Sequence, residues 1–460
     1  MSDSSPLKYG DDTAVTTVSS DSPHASASSS TTKDFYARLQ HATVCTIDDQ
    51  RLIVLPVSGY PASLLDWLEQ EPSGDRFYFA SRDRLFRVAG SGQAHAIPSS
   101  VAMDVIDQLF DSSGQGTIVG LGLPFAWEEA TDATPRNTDS SPVVRISRRL
   151  VVQIDNEIRA FLVVADDQTD DLEQEYEQFV ESFRRTTTQP VSFPKLTALS
   201  ERTKEQELWK SQMTRAVDFL ENNTQRKIVL SRREHYRTEQ TVSPIALMRS
   251  LASKQSSAFT YLLDLDSQRS IIGASPELLF RRQGDELATE AVAGTATLGT
   301  IDTLTSEKQH REQQIVVDWL RAKLEKLATD VTIEASGEEL PAGSLCHRRT
   351  RFHAQLRAHQ PVSGLLATLH PTPAVCGEPS TDARRMIASI ETTPRGMYSG
   401  VIGVVAPGYA ECAVALRIAL IEPNTITLSA GAGLVVGSNA EEEWQETDQK
   451  IDQLRSLFPR

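Results

Sequence analysis

Apolar residues recur along this chain in two rhythms, and the switches between them mark its elements. Between Phe35 and about Phe183 short runs of strand character occupy residues 51–57, 76–79, 150–154 and 158–164, and helical spacing occupies 62–69 and 172–183. Residues 131–142 read as a loop, and residues 186–194, with two prolines and three threonines, as a connection. From Glu205 onward the signals sharpen. Leu208, Met213, Val217 and Leu220 fall on one helical face, and the turn-prone Asn222-Asn223 leads into a strand at 227–231. A strand at 270–273 precedes Ser275-Pro276-Glu277. Ser306 and Gln309 match a capping box opening a helix whose apolar stripe is Ile315, Val316, Leu320 and Leu324. Strands follow at 400–405, 412–420 and 425–428. A second capping box, Ser438 and Glu441, opens a C-terminal helix that buries Trp444, Ile451 and Leu454. Residues 1–32 are rich in Ser, Thr and Asp and hold too few apolar groups to offset the entropy of ordering, which predicts a disordered tail. The division expected is therefore this tail, an N-terminal part over 33–190 and a C-terminal core over 205–460, without internal repeats.

Charge narrows the partners. With 46 basic and 62 acidic residues the formal charge is −16, which disfavours nucleic acid and anionic membranes. No apolar run approaches the length needed to span a bilayer. Cys45, Cys346, Cys376 and Cys412 show no CxxC spacing, and no basic stretch leads into an apolar leader, so a reducing cytoplasm is the expected location. Any anionic ligand must then be held by local cations or a metal.

The candidate chemistry lies in the C-terminal half; the N-terminal part offers none. Glu443, Glu446 and Lys450, spaced by three and four, project from one face of the last helix, a pattern shared by salt-bridged solvent faces. Ala430-Gly431-Ala432-Gly433-Leu434 would let backbone N–H groups approach an anion at the entrance of that helix. A dinucleotide fingerprint fits poorly, because no βαβ unit and no acidic ribose ligand can follow. Lys227 opens an apolar strand and Glu290 sits in a small-residue segment, surroundings that push an amine and a carboxyl toward neutrality and suit an acid–base pair; each is also the kind of charge found at strand ends. His370, among prolines, suits a structural hydrogen bond as well as a ligand. HExxH, P-loop and GxSxG motifs are absent, and the remaining hard oxygen donors suit Mg²⁺.

In order along residues 205–459, the segments Lys227-Ile-Val-Leu-Ser-Arg232, Ser275-Pro276-Glu277, Thr289 to Thr295, Lys308 with Glu312, Leu369 to Gly377, Arg395 to Gly400, Ala415-Leu416-Arg417, Gly431 to Leu434, and Glu443 to Thr447 with Lys450 resemble the chorismate-utilising enzymes, most of all the isochorismate synthases. The resemblance implies an α/β (α+β) fold, a single large two-sheet sandwich with helices on its outer faces. It also implies that Lys227 activates water and Glu290 protonates the departing C4 hydroxyl of chorismate. Glu312, Glu443 and Glu446 would hold Mg²⁺, and His370, Tyr398, Arg417, Lys450, Gly431 and Gly433 would bind the substrate. Relatives that use ammonia typically carry Gln where Lys227 stands, since ammonia needs no deprotonation. Water as nucleophile, and no glutamine amidotransferase subunit, are thus implied. The alternatives are a salicylate synthase, which goes on to expel pyruvate, and a non-catalytic chorismate-binding relative. Three positions depart from the family's usual residues: Pro394, Gln309 and Gln313.

Overall fold

The computed structural model describes residues 42–112, 117–127, 141–185, 192–297, 307–357 and 360–459. The expected tail, most of the loop at 131–142, Ser306 and residues 186–191 of the connection lie outside the described residues.

The strands pair antiparallel throughout and form two wings. One wing runs from Thr43–Ile47 through Gln50–Val57, Glu157–Ala165, Val143–Ile154, Phe86–Ala96, Phe77–Ala80, Phe259–Asp264, Ser270–Ser275, Ile418–Glu422 and Thr425–Leu434 to Lys227–Arg237. The other runs from Val119–Leu123 through Val401–Ala406, Tyr409–Val414, Leu278–Gln283, Glu286–Thr297 and Leu345–Leu356 to Ala328–Ala342. Val143–Ile154 belongs to both, because its first residues pair with Val119–Leu123 and the rest with Phe86–Ala96 and Glu157–Ala165.

Side chains alternate across each strand, so each wing has two apolar faces to cover. Phe77, Tyr261, Leu263 and Ile271 of one wing meet Leu278, Ile402, Val404 and Ala413 of the other. On the far face of the first wing, helices supply Trp67, Phe179, Leu247 and Ile451. On the far face of the second they supply Val316, Leu320, Leu324 and Leu365. This is a mixed α/β fold, a large antiparallel sheet system flanked by helices, as the resemblance implies. None of the helices among the described residues is long and apolar enough to cross a membrane.

Where elements differ from the sequence reading, polar pairing is usually the reason. The strand expected at 227–231 continues to Arg237, because Arg232, Glu234 and Tyr236 point inward and satisfy one another, Arg232 Nη1 lying 2.7 Å from Glu234 Oε1. The single strand expected at 412–420 is two, Tyr409–Val414 and Ile418–Glu422, separated where Arg417 takes a left-handed φ of 50° and the chain passes from one wing to the other. Residues 431–434 are not a helix entrance but the end of strand Thr425–Leu434, with Gly431 opposite Ser231 and Gly433 opposite Val229. The cap of the last helix, Ala440–Arg455, is Asn439, whose side chain accepts from the amides of Glu441 and Glu442; Ser438 instead accepts from Val435 N. Pro244–Lys254, Val362–Leu369 and Ser380–Ile390 are further helices that the periodicity did not mark.

The sandwich interior tolerates no extra atoms at Gly273, where a Cβ would lie 2.2 Å from Cζ of the buried Tyr261 ring. Gly273→Ala is therefore predicted to destabilise the fold by about 1–3 kcal/mol through overpacking. Denaturant unfolding of the two proteins checks this, and an unchanged midpoint would contradict it.

Candidate active site

Lys227 stands at the first position of its strand and is fully buried. Its Nζ lies 3.0 Å from Glu312 Oε1, close but poorly aligned for a hydrogen bond. Both side chains use the space that Gly433 leaves: a Cβ there would sit 2.1 Å from Glu312 Oε1 and 2.9 Å from Lys227 Cε. Gly431 does the same for Tyr398, whose hydroxyl would be 2.8 Å from an added Cβ. These glycines serve close approach by side chains on the neighbouring strand, on helix Glu307–Leu327 and on the turn that holds Tyr398.

Glu312 is carried by helix Glu307–Leu327, and the two departing glutamines pin that helix to the strand bearing Glu290. Gln309 Nε2 donates to Thr295 O at 2.7 Å and Gln313 Nε2 to Ala291 O at 3.0 Å. The helix thus keeps its place without the usual acidic and histidine residues. Pro394 has a similar account. Arg395, buried beneath the Phe125 ring, takes its carboxylate from Glu391 four residues back and also donates to Val229 O and Val375 O.

From the last helix come Glu443, Glu446 and Lys450. Lys450 Nζ donates to Glu446 Oε1 at 2.6 Å and to Gly431 O at 2.8 Å, so the i,i+4 pair exists but faces the strand rather than solvent. Glu443 is buried and bonded by Lys308. Burial, and then the charge of Glu446, push the Glu443 carboxyl up to about 7. Burial acts in the same sense on Glu446, but Lys450, Lys308 and Arg417 outweigh it and hold that carboxyl below its ordinary value. Among the described residues no three carboxylate, His or Cys side chains are gathered closely enough to ligate one ion. Each of the three candidate metal carboxylates instead faces a lysine: Glu312 with Lys227, Glu443 with Lys308, Glu446 with Lys450. The three carboxylates are hard oxygen donors of the kind a divalent cation such as Mg²⁺ takes, although the side chains as placed are paired with lysines and not gathered around one point.

Across the cleft, Glu290 is buried on strand Glu286–Thr297 and gripped by a guanidinium fork: Arg82 Nη1 to Oε1 at 2.9 Å and Arg82 Nη2 to Oε2 at 2.7 Å. The N-terminal part, without candidates in the sequence, thus reaches a site residue. Arg417 is buried, burial holding its pKa below the usual value, and Nη2 meets His347 Nε2 at 3.0 Å while Nε donates to Gln453 Oε1 at 3.0 Å. An arginine only donates, so His347 accepts at Nε2 and donates from Nδ1 to Gly294 O at 2.9 Å. Burial, with Arg417 and Lys450 nearby, pushes His347 down to about 3, consistent with that neutral tautomer. His370 bonds Ser399 O at 2.9 Å beside Tyr398, and burial lowers it to about 4. Burial likewise raises Tyr398 above its ordinary value.

Arg82, His347 and Glu277 were missed by sequence reasoning. Glu277 accepts from Thr372 Oγ1 at 3.2 Å within electrostatic reach of Lys227, Glu290 and Arg417, and burial raises it to about 7. Its signal was present, since Ser275-Pro276-Glu277 stood among the matching segments. His347 and Arg82 gave none, since each lies among other charged residues with no motif around it.

A profile of chorismate binding enzymes matches residues 39–458. The chain belongs to the chorismate-binding enzyme family. Over 437 residues it is 28% identical to the isochorismate synthase MenF of Haemophilus influenzae, covering 92% of this chain and 94% of that protein. Over 238 residues it is 35% identical to the chloroplastic isochorismate synthase 2 of Arabidopsis thaliana, covering 50% of this chain and 42% of that one. Its fold is similar to that of MenF, the menaquinone-specific isochorismate synthase from Escherichia coli, with a TM-score of 0.77 at 22% identity over 93% of this chain and 99% of that one. It is also similar to anthranilate synthase component I from Streptococcus pneumoniae, with a TM-score of 0.63 at 21% identity over 91% and 96%. The fold is thus shared by chorismate-binding enzymes with different named activities, and the site must discriminate among them.

Two predictions follow from this geometry. A Cβ at Gly433 would displace Glu312 Oε1 and Lys227 Cε, so Gly433→Ala should lower kcat/KM by about 10²-fold through misplacement of Lys227 and Glu312, and should lower stability as the buried amine loses its partner; steady-state kinetics beside a melting curve checks both halves. Glu277, raised to about 7, favours its neutral form in the fold. Its contribution to stability is therefore complete below the unfolded carboxyl value and is lost as pH rises through about 7. Glu277→Gln should remove this loss, so that between pH 5 and 8 the variant is spared up to about 3 kcal/mol of destabilisation seen in the parent protein. Parallel curves for the two proteins would contradict it.

Proposed function

We propose that the protein is an isochorismate synthase, adding water at C2 of chorismate with loss of the C4 hydroxyl. The observation that carries this reading is Lys227, an amine withdrawn completely from solvent at the position where ammonia-using relatives typically carry Gln. The isochorismate synthases related along most of the chain add support. In this reading Lys227 takes a proton from water, the resulting hydroxide bonds to C2, the ring double bonds shift, and the C4–O bond breaks as Glu290 gives its proton to the leaving hydroxyl. Water is consumed and released, so the net change is an isomerisation. Arg417, Tyr398, Lys450 and the backbone of Gly431 and Gly433 receive the carboxylates of the dianionic substrate; a protein of charge −16 needs such local donors. Glu312, Glu443 and Glu446 would hold Mg²⁺, which supplies a doubly charged partner for the ring carboxylate.

Incubation with chorismate and Mg²⁺ should give isochorismate by product chromatography. Salicylate with pyruvate would make the protein a lyase, and no product would make it a binding relative. Lys227→Gln should lower turnover by about 10²- to 10⁴-fold with substrate binding retained. Excess EDTA should abolish activity reversibly, and full activity in EDTA would overturn the metal assignment.

A further inference from the structure

We propose that Arg82 is a positioning residue for this reaction, lent by the N-terminal part of the chain to stabilise the Glu290 carboxylate as its proton leaves. The inference rests on the reading of Glu290 as the acid. Its basis is the fork itself: Arg82 Nη1 donates to one oxygen of Glu290 at 2.9 Å and Nη2 to the other at 2.7 Å, from 208 residues away in sequence.

Arg82 is prearranged for this task. Nη2 also donates to Pro276 O at 2.6 Å, next to Glu277, and the guanidinium carbon lies 4.9 Å from the centroid of the Phe259 ring. Its own turn is fastened on either side of it. Asp83 Oδ1 accepts from Ser81 Oγ and from Leu85 N, and Arg84 Nη2 donates to Gln255 O. The side chain is largely buried, so it is not one of the mobile surface arginines whose ion pairs contribute little. Arg349 is the weaker partner: its Nη1 stands 3.4 Å from Glu290 Oε1, and its Nη2 is drawn to Glu338 at 2.9 Å.

When an acid in a water-poor cleft gives up its proton, the charge left behind is costly unless a cation already faces it. A fork made in advance meets that charge without reorganisation. A dianionic substrate entering the cleft adds negative charge, which favours a proton on a neighbouring carboxyl before the bond breaks. Arg82 then receives the negative charge as C4–O cleavage releases it. The opposite wall is built alike: Lys227, once protonated, faces Glu312 at 3.0 Å. Both proton-transfer partners are thus placed against a counter-charge that suits their state after transfer.

The test is a double-mutant cycle in the full-length enzyme with Mg²⁺. Arg82→Gln should lower kcat by about 10²-fold while KM for chorismate stays within about threefold, since a group acting on the acid is felt in the transition state. Arg82→Lys, which keeps the charge but not the fork, should recover part of the loss, and it serves as the readout should Arg82→Gln lower the melting temperature sharply. In the Glu290→Gln background, Arg82→Gln should cost little more, because no carboxylate remains to stabilise. Near parental kcat in Arg82→Gln overturns the proposal, and so does a loss repeated in full in the Glu290→Gln background. Parental turnover in Glu290→Gln alone would remove the acid assignment itself, an outcome distinct from both.

Discussion

A lysine side chain with no contact to water governs how this protein is put together. Burying an amine is costly unless a polar partner comes within contact distance. Glu312 provides that partner, but it can arrive only because the strand between carries no side chain at Gly433. Helix Glu307–Leu327 must then lie at one height over the sheet, and Gln309 and Gln313 hold it there through backbone carbonyls of the strand that bears Glu290. One buried amine thus sets the relation of a strand, a glycine, a helix and a second strand.

The same logic repeats around the cleft. Lysines 308 and 450 and arginines 82, 395 and 417 are each matched with acceptors, so the site is lined by paired polar groups in a protein whose overall charge would repel a dianion. Such matching is what lets polar groups be buried without a large loss of stability, and it leaves them in place for a ligand. Arg417 illustrates the demand on the backbone. To turn its side chain to His347 and Gln453 the chain adopts a left-handed residue where the strand crosses from one wing to the other.

Much of this arrangement was legible in the sequence. The ordered segments from Lys227 to Lys450 pointed to the family and its fold, and the apolar periodicity located the helix of Glu312 and the helix of Glu443. What stayed hidden was hidden for physical reasons. Arg232, Glu234 and Tyr236 satisfy one another inside, so apolar residues alone did not carry the strand past residue 231. Gly431 and Gly433 resembled an anion-binding loop because sequence shows a missing side chain but not the tyrosine, lysine and glutamate that fill the space. Arg82 and His347 lie in hydrophilic stretches, and nothing local marks a partner on another strand. Gln309, Gln313 and Pro394 looked like losses, yet the glutamines bond backbone and Arg395 finds its carboxylate at Glu391.

The antiparallel pairing of Phe77–Ala80 with Phe259–Asp264, and of Lys227–Arg237 with Thr425–Leu434, ties distant stretches of chain into the cleft. During synthesis the ribosome therefore delivers an early strand that must wait for its neighbours. A translation product truncated before residue 440 would lack Glu443, Glu446 and Lys450 and would leave Lys308 without its carboxylate. Such fragments expose unpaired strands to chaperones and proteases as unfinished chains.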